Sequence, residues 1–232
     1  MLFRSDDDHL PEDRSLRLSD FQKFMKRLRK SIAPKRVRFF HCGEYGDELG
    51  RPHYHACLFG HDFNDKELWT VVRDDPLYVS NNLNDLWPFG FSTLGDVTFR
   101  SAAYVARYAT KKRTGDLGRD HYLVVDERGE IHERAPEYAT MSKRPGIGQP
   151  WLDKYERDVY PRGYVVVNGR KVRPPKYYDD QFELASVEAA RKMKGNRVRK
   201  AKMFSGDQTP DRLAVRHKVQ QERHKLLKRT LK

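Results

Sequence analysis

Phe21, Phe24, Met25 and Leu28 recur at i, i+3, i+4 and i+7, a spacing that predicts an amphipathic helix. Lys23, Lys26, Arg27, Arg29 and Lys30 occupy the rest of that helix; Ser15 or Ser19 is placed to cap it, and Pro34 ends it. Met1 to Arg4 before it reads as a short strand remnant. Two extended runs follow the helix, 37–43 and 53–59, joined by turn-forming residues 44–50, so an antiparallel hairpin is expected. Residues 65–73 read as a short helix, 78–87 as an extended segment, and 91–99 as a strand with a bulge at Gly95. From Ser101 a helix is expected, kept slim by Ala102, Ala103, Ala106 and Ala109 and closed by Lys111, Lys112, Arg113 and Gly115. Downstream, the pattern predicts a hairpin over 121–131, a short helix over 149–159 and an Asn168-Gly169 hairpin over 165–172. Pro174-Pro175 closes the folded body. From Gln181 onward the chain reads as cationic helices broken near Gly195 and at 205–207.

Charge sharpens this division. The 232 residues carry a formal net charge of +13, and residues 181–232 hold 15 Lys/Arg against 5 Asp/Glu, leaving 31 against 28 for the remainder. A nearly balanced body over 1–180 and a basic helical tail over 181–232 point to a polyanionic partner, most simply nucleic acid, with a solvated charged face as the plainer reading. Cys42 and Cys57 cannot form a disulfide framework and belong to no CxxC pair. They are expected as small core residues of a protein in a reducing cytoplasm. No run approaches the ~20 apolar residues of a membrane span, and the N-terminus lacks a signal-peptide pattern, so a soluble intracellular protein is expected.

The candidate chemistry lies in two stretches. In Arg51-Pro52-His53-Tyr54-His55-Ala56-Cys57, alternation along a strand puts His53, His55 and Cys57 on one face, where two imidazoles form a preorganised pair of metal ligands. With a four-residue loop over 47–50, opposed residues place Glu44 across from His53 and Cys42 across from His55, so Glu44 joins the histidine face as a third, hard ligand. An odd loop reverses the parity and presents His41 or Tyr45 instead. A structural Zn²⁺ site drawing on Cys42 and Cys57 is a competing reading. In Tyr104-Val105-Ala106-Arg107-Tyr108, the two phenols and Lys111 fall at i, i+4 and i+7 on one stripe. Metal, phenols and lysines in a cationic protein suggest phosphodiester chemistry. The basic loop over 141–148 is readable either as a phosphate-tracking loop or as a structural turn.

These motifs carry a resemblance. His53-Tyr54-His55 resembles the histidine–hydrophobic–histidine motif of HUH endonucleases, and Tyr104 to Tyr108 with Lys111-Lys112 is similar to the two-tyrosine motif of that superfamily. The two-tyrosine form resembles replication initiation proteins of small single-stranded DNA phages (Microviridae), the gokushovirus-like branch above all. Residues 8–13, 40–46 and 142–148 are similar to the same branch. The resemblance implies an α+β fold with an antiparallel sheet of four or five strands flanked by helices, a ferredoxin- or RRM-like palm. It implies a rolling-circle replication initiator that nicks and rejoins single-stranded origin DNA through a 5′-phosphotyrosine. Tyr104 and Tyr108 would be the nucleophiles, with Lys111 and Lys112 stabilising charge and His53, His55 and Glu44 holding Mg²⁺ or Mn²⁺ as exposed ligands. Arg51, Arg107, Lys143 and Arg144 are the candidate DNA contacts, and unwinding and synthesis would fall to a host helicase and polymerase in the host cytoplasm. The chain departs from the pattern in having only Met1 to Ser5 before the Asp-rich loop, where a full strand is usual. Two alternatives stay open: a relaxase- or transposase-type strand transferase, and a non-enzymatic nucleic-acid-binding module with a structural histidine pair.

Overall fold

The computed structural model describes residues 2–4, 10–46, 50–72, 74–108, 112, 115–125 and 128–226, and the chain divides into two compact units, over 1–143 and 144–230. In the first unit the elements run β1 (Leu2–Arg4), α1 (Leu18–Ser31), β2 (Arg38–Tyr45), β3 (Pro52–Phe59), β4 (Glu67–Val72), β5 (Asp75–Val79), α2 (Asn81–Leu86) and β6 (Ser92–Thr93). They continue with α3 (Phe99–Tyr108), α4 (Asp116–Tyr122), β7 (Leu123–Val125), β8 (Ile131–Glu133) and β9 (Tyr138–Met141). The fold is α+β, as expected. Strands β6-β1-β3-β2-β9 form one five-stranded sheet, antiparallel at every pairing, with the histidine strand β3 at its centre.

Alternation along β2 and β3 gives the sheet two different faces. Tyr45, Tyr54, Ala56 and Leu58 point to one face, where Phe21, Phe24, Met25 and Leu28 of α1 meet them together with Leu83 and Trp87. The neighbouring positions Cys42 and Cys57 point to the other face and pack with Val105 and Tyr108 of α3. Both cysteines are thus core residues. Burial raises the Cys57 pKa, which keeps this thiol protonated and weighs against a thiolate zinc site.

Several elements differ from the sequence expectation. The N-cap of α1 is Arg17, with no side-chain cap; Ser15 instead accepts a hydrogen bond from the Ala135 amide at 2.8 Å, and Ser19 lies inside the helix. The expected helix over 65–73 is strand β4, paired with β5, because Leu68-Trp69-Thr70-Val71-Val72 is rich in β-branched and aromatic residues. Helix α2 stands where an extended segment was expected, and Ser80 caps it by accepting from the Leu83 amide at 3.1 Å. Only Ser92–Thr93 of the expected 91–99 strand is extended as β6, and α3 starts at Phe99 because Thr98 Oγ1 accepts from the Ser101 amide at 3.1 Å. Strand β9 and helix α4 carried no sequence signal strong enough to predict them.

The second unit runs α5 (Gln149–Val159), β10 (Val165–Val167), β11 (Arg170–Val172), α6 (Lys176–Ala185), α7 (Val187–Lys202), a 3₁₀ turn over Ser205–Gln208 and α8 (Pro210–Lys225). The β10–β11 hairpin closes through Asn168 (φ 49°) and Gly169 (φ 73°), both left-handed as a type I′ turn requires. Leu152, Val159, Tyr160, Phe182, Ala190 and Met193 form this unit's core. The boundary between compact units therefore falls at 143/144, and position 180 lies inside α6, because Phe182 and Met193 of the expected tail are core residues. Gly195 does not interrupt α7; the break at 205–207 is present as the 3₁₀ turn, and α8 buries nothing. Among the described residues, no helix is long and apolar enough to cross a membrane.

Candidate active site

The β2–β3 register places Glu44 opposite His53 and Cys42 opposite His55, the pairing read from the sequence. Residues 47–49 of the connecting loop lie outside the described residues. The odd-parity alternative is excluded, because His41 and Tyr45 both face the α1 side. The His41 ring stacks on Phe21 with centroids 3.4 Å apart and planes 3° apart. Burial, with a smaller contribution from His55, holds its pKa well below that of an ordinary histidine. Tyr45 donates to the Ala135 carbonyl at 2.7 Å and receives the Leu16 amide at 3.1 Å.

On the opposite face, the Glu44 carboxylate meets the ladder's diagonal neighbour. Its Oε1 lies 2.9 Å from His55 Nε2, and both side chains are about 4% exposed. The expectation of exposed histidine ligands thus fails for His55. The Tyr108 ring covers it, stacked at 4.1 Å between centroids and 10° between planes, while Tyr104 meets it edge-on at 6.0 Å. The Tyr108 hydroxyl donates to the Tyr104 hydroxyl, and the two rings stand nearly perpendicular with centroids 4.9 Å apart. Helical spacing explains the pair: four residues bring two side chains to one stripe, and Ala102 and Val105 seat that stripe on Cys42 and Cys57. Tyr108 is buried and Tyr104 half-buried, so the phenols, alike in sequence, differ in environment.

His53 is half-buried beside Gly46. A Cβ at Gly46 would stand 2.6 Å from His53 Cε1 and 3.0 Å from Nδ1, so only glycine leaves this imidazole its place. Sequence reasoning passed Gly46 over as one turn former among several; its only signal was a glycine just past the Glu44 strand. The basic candidates are more dispersed. Helix α3 is described only to Tyr108, so Lys111 lies outside the described residues, and exposed Lys112 stands beyond the helix rather than on the tyrosine stripe. Arg107 donates from Nε to the Ala103 carbonyl at 3.3 Å, and half-buried Arg51 receives the Gly46 amide on its carbonyl at 2.9 Å. Lys143 and Arg144 are exposed at the end of one unit and the start of the other.

The donor set fits a divalent cation in part. Two ligand atoms bound cis at the ~2.1 Å of an octahedral Mg²⁺ are about 3 Å apart, and Glu44 Oε1 and His55 Nε2 stand 2.9 Å apart. A carboxylate and an imidazole suit Mg²⁺ or Mn²⁺, and His53 adds a second imidazole on the same face. Among the described residues no three His, Cys, Asp or Glu side chains already converge as a metal-holding group, so the Glu44–His55 pair is the assembled part of the site.

Residues 6–113, which include every one of these groups except Lys143 and Arg144, match the family model for the replication-associated protein ORF2. The chain is also similar to the replication-associated protein VP4 of Bdellovibrio phage phiMH2K, 35% identical over 187 residues that make up 77% of this chain and 55% of that protein. The replication-associated protein ORF2 of Spiroplasma virus 4 is 31% identical over 69% of this chain and 49% of its own length. The corresponding figures for the replication-associated protein ORF4 of Chlamydia phage 1 are 30%, 78% and 44%. The chain spans about half the length of these relatives, and no solved structure matches it.

Proposed function

Starting from this chain's kinship with phage replication-associated proteins, we propose that it initiates rolling-circle replication by nicking and rejoining single-stranded origin DNA through a phosphotyrosine. The observation that carries the reading is the stacking of Tyr108 on His55, itself hydrogen-bonded to Glu44, with Tyr104 joined to Tyr108 through its hydroxyl. Two potential nucleophiles thereby stand over a carboxylate–imidazole pair.

Glu44, His55 and His53 would hold Mg²⁺ or Mn²⁺, which when bound polarises the scissile phosphate. A tyrosine oxygen forms a bond to phosphorus as the bond to the 3′ oxygen breaks, and that oxygen leaves as a 3′-hydroxyl able to prime a host polymerase. The DNA 5′ end is then held on tyrosine, and the retained ester energy lets a later 3′-hydroxyl reverse the step without a nucleotide cofactor. A free phenol has a pKa near 10, so the attacking tyrosine must shed its proton. The hydrogen bond between Tyr104 and Tyr108 gives one oxygen a donor that stabilises its phenolate while the other keeps its proton. Lys112 and Lys111, Arg51, Arg107, Lys143 and Arg144 are proposed to position phosphates, and a host helicase to supply unwinding.

A second reading has its own support. Glu44 and His55 are buried against one another, which is also how a purely structural pair would be satisfied in a DNA-binding module without catalysis. Incubation with circular single-stranded DNA and Mn²⁺, followed by denaturing electrophoresis, separates the two. A covalent protein–DNA band supports the initiator; retained DNA binding with no band supports the module.

A further inference from the structure

The second unit carries a cleft that the proposed chemistry does not use. Along α7, Met193, Asn196, Arg197 and Lys200 fall at i, i+3, i+4 and i+7, so one stripe of the helix faces the turn at Pro161 and Arg162. The space between them is about 440 Å³, within the range of small-ligand sites. Its base is apolar where buried Met193 meets Pro161, and its wall is fixed. Arg197 donates to the two Asp179 carboxylate oxygens at 2.6 and 3.1 Å and to the Gly163 carbonyl at 3.2 Å, while Tyr160 donates to Asp179 at 2.8 Å. That network binds α6, α7 and the turn over 160–163 together, so the cleft is held open by buried structure rather than by loops.

Its charge is one-sided. No carboxylate lines it, and Asp179 neutralises only Arg197. Arg162, Arg199 and Lys200 remain, all exposed, and among the described residues none of them forms an ion pair. Three unneutralised cations around an apolar base suit a ligand that is anionic at one end and flat and apolar at the other, the chemistry of a nucleotide. We infer that this cleft binds one nucleotide of the DNA strand, phosphate on Arg162 and Lys200 and base against Met193 and Pro161, as a second DNA contact on a different unit from the tyrosines. The inference rests on the DNA-processing reading above.

The test is binding of a fluorescein-labelled 20-mer of thymidylate to the full chain, measured by anisotropy across a salt series. Arg162→Ala/Lys200→Ala removes two phosphate contacts, so the slope of log affinity against log salt should shrink by about 1.4, at ~0.7 per phosphate for single strands. Asn196→Trp, an exposed and uncharged position, should fill the cleft and weaken binding about fivefold or more at constant charge, the lower range for one lost base stack. An unchanged slope in the first variant, or wild-type affinity in the second, overturns the cleft. Covalent adduct formation at saturating DNA should be unchanged in both. A wild type that binds the 20-mer but forms no adduct would sink the nicking reading alone, since the cleft is judged by the binding data.

Discussion

Replacing the tyrosines by phenylalanine separates chemistry from packing, because the two roles sit on different atoms of the same rings. Tyr108 is 8% exposed and its ring lies on His55 and among Cys42, Cys57 and Val105. Tyr108→Phe keeps all of that and removes one hydroxyl with its hydrogen bond to Tyr104. The expected cost is about 1 kcal/mol, or roughly 2–4 °C in Tm for a chain of this size. Tyr108→Ala would instead empty the space under α3 at about 3–5 kcal/mol. Tyr104→Phe breaks the same hydrogen bond, so the double variant should cost about as much as either single one, a non-additivity that a double-mutant cycle reads directly. Function should divide differently. A rolling-circle cycle needs two attacks, one to open the origin and one to cut the regenerated origin while the first tyrosine is still esterified. On circular single-stranded DNA with Mn²⁺, each single variant should form the covalent adduct but release no closed circles, and the double variant should form no adduct. If either single variant completes circle release, its missing hydroxyl was a packing feature and the two-nucleophile cycle is wrong.

Three further outcomes follow from the same structure. His53→Ala should abolish nicking with little change in Tm, whereas His55→Ala should abolish it and also lower Tm, because it strips the buried partner of Glu44 and the platform under Tyr108; equal, chelator-insensitive unfolding of both would mark the pair as structural. His41 stays neutral when folded, its pKa lowered by burial, so the unfolded chain binds a proton the native state refuses. Stability should therefore hold above pH ~6.5 and fall by about 2 kcal/mol by pH 5, and His41→Phe should flatten that part of the urea-denaturation profile; an unchanged pH slope excludes His41 as its source. Deleting 204–232, which removes 8 Lys/Arg and 3 Asp/Glu from beyond the Met193 core, should weaken DNA binding and its salt dependence while leaving adduct formation on a saturating oligonucleotide intact; unchanged salt dependence assigns α8 to another partner.

The sequence by itself determined what periodicity controls. A period of two along β2 and β3, with a loop of even length, put Glu44, His53, His55 and both cysteines on one face, and a period of 3.6 put Tyr104 and Tyr108 on one stripe. Both are local properties of a backbone whose geometry repeats. The start of α3 at Phe99 was also written locally, in the Thr98–Ser101 capping pair, though it was overlooked in favour of the β-rich run before it. Tertiary structure alone decided which faces meet. Glu44, directly opposite His53 in the ladder, bonds diagonally to His55, because α3 packs over that end of the face and buries His55 under Tyr108. The same packing made Tyr108 buried and Tyr104 half-buried. The helices after residue 180 were legible as cationic, but not as the source of a core, since Phe182, Ala190 and Met193 are apolar positions sparse enough to read as a solvated tail. They become a core only when α5 brings Leu152 and Val159 to them, and a contact between elements so far apart along the chain leaves no periodic trace in either one.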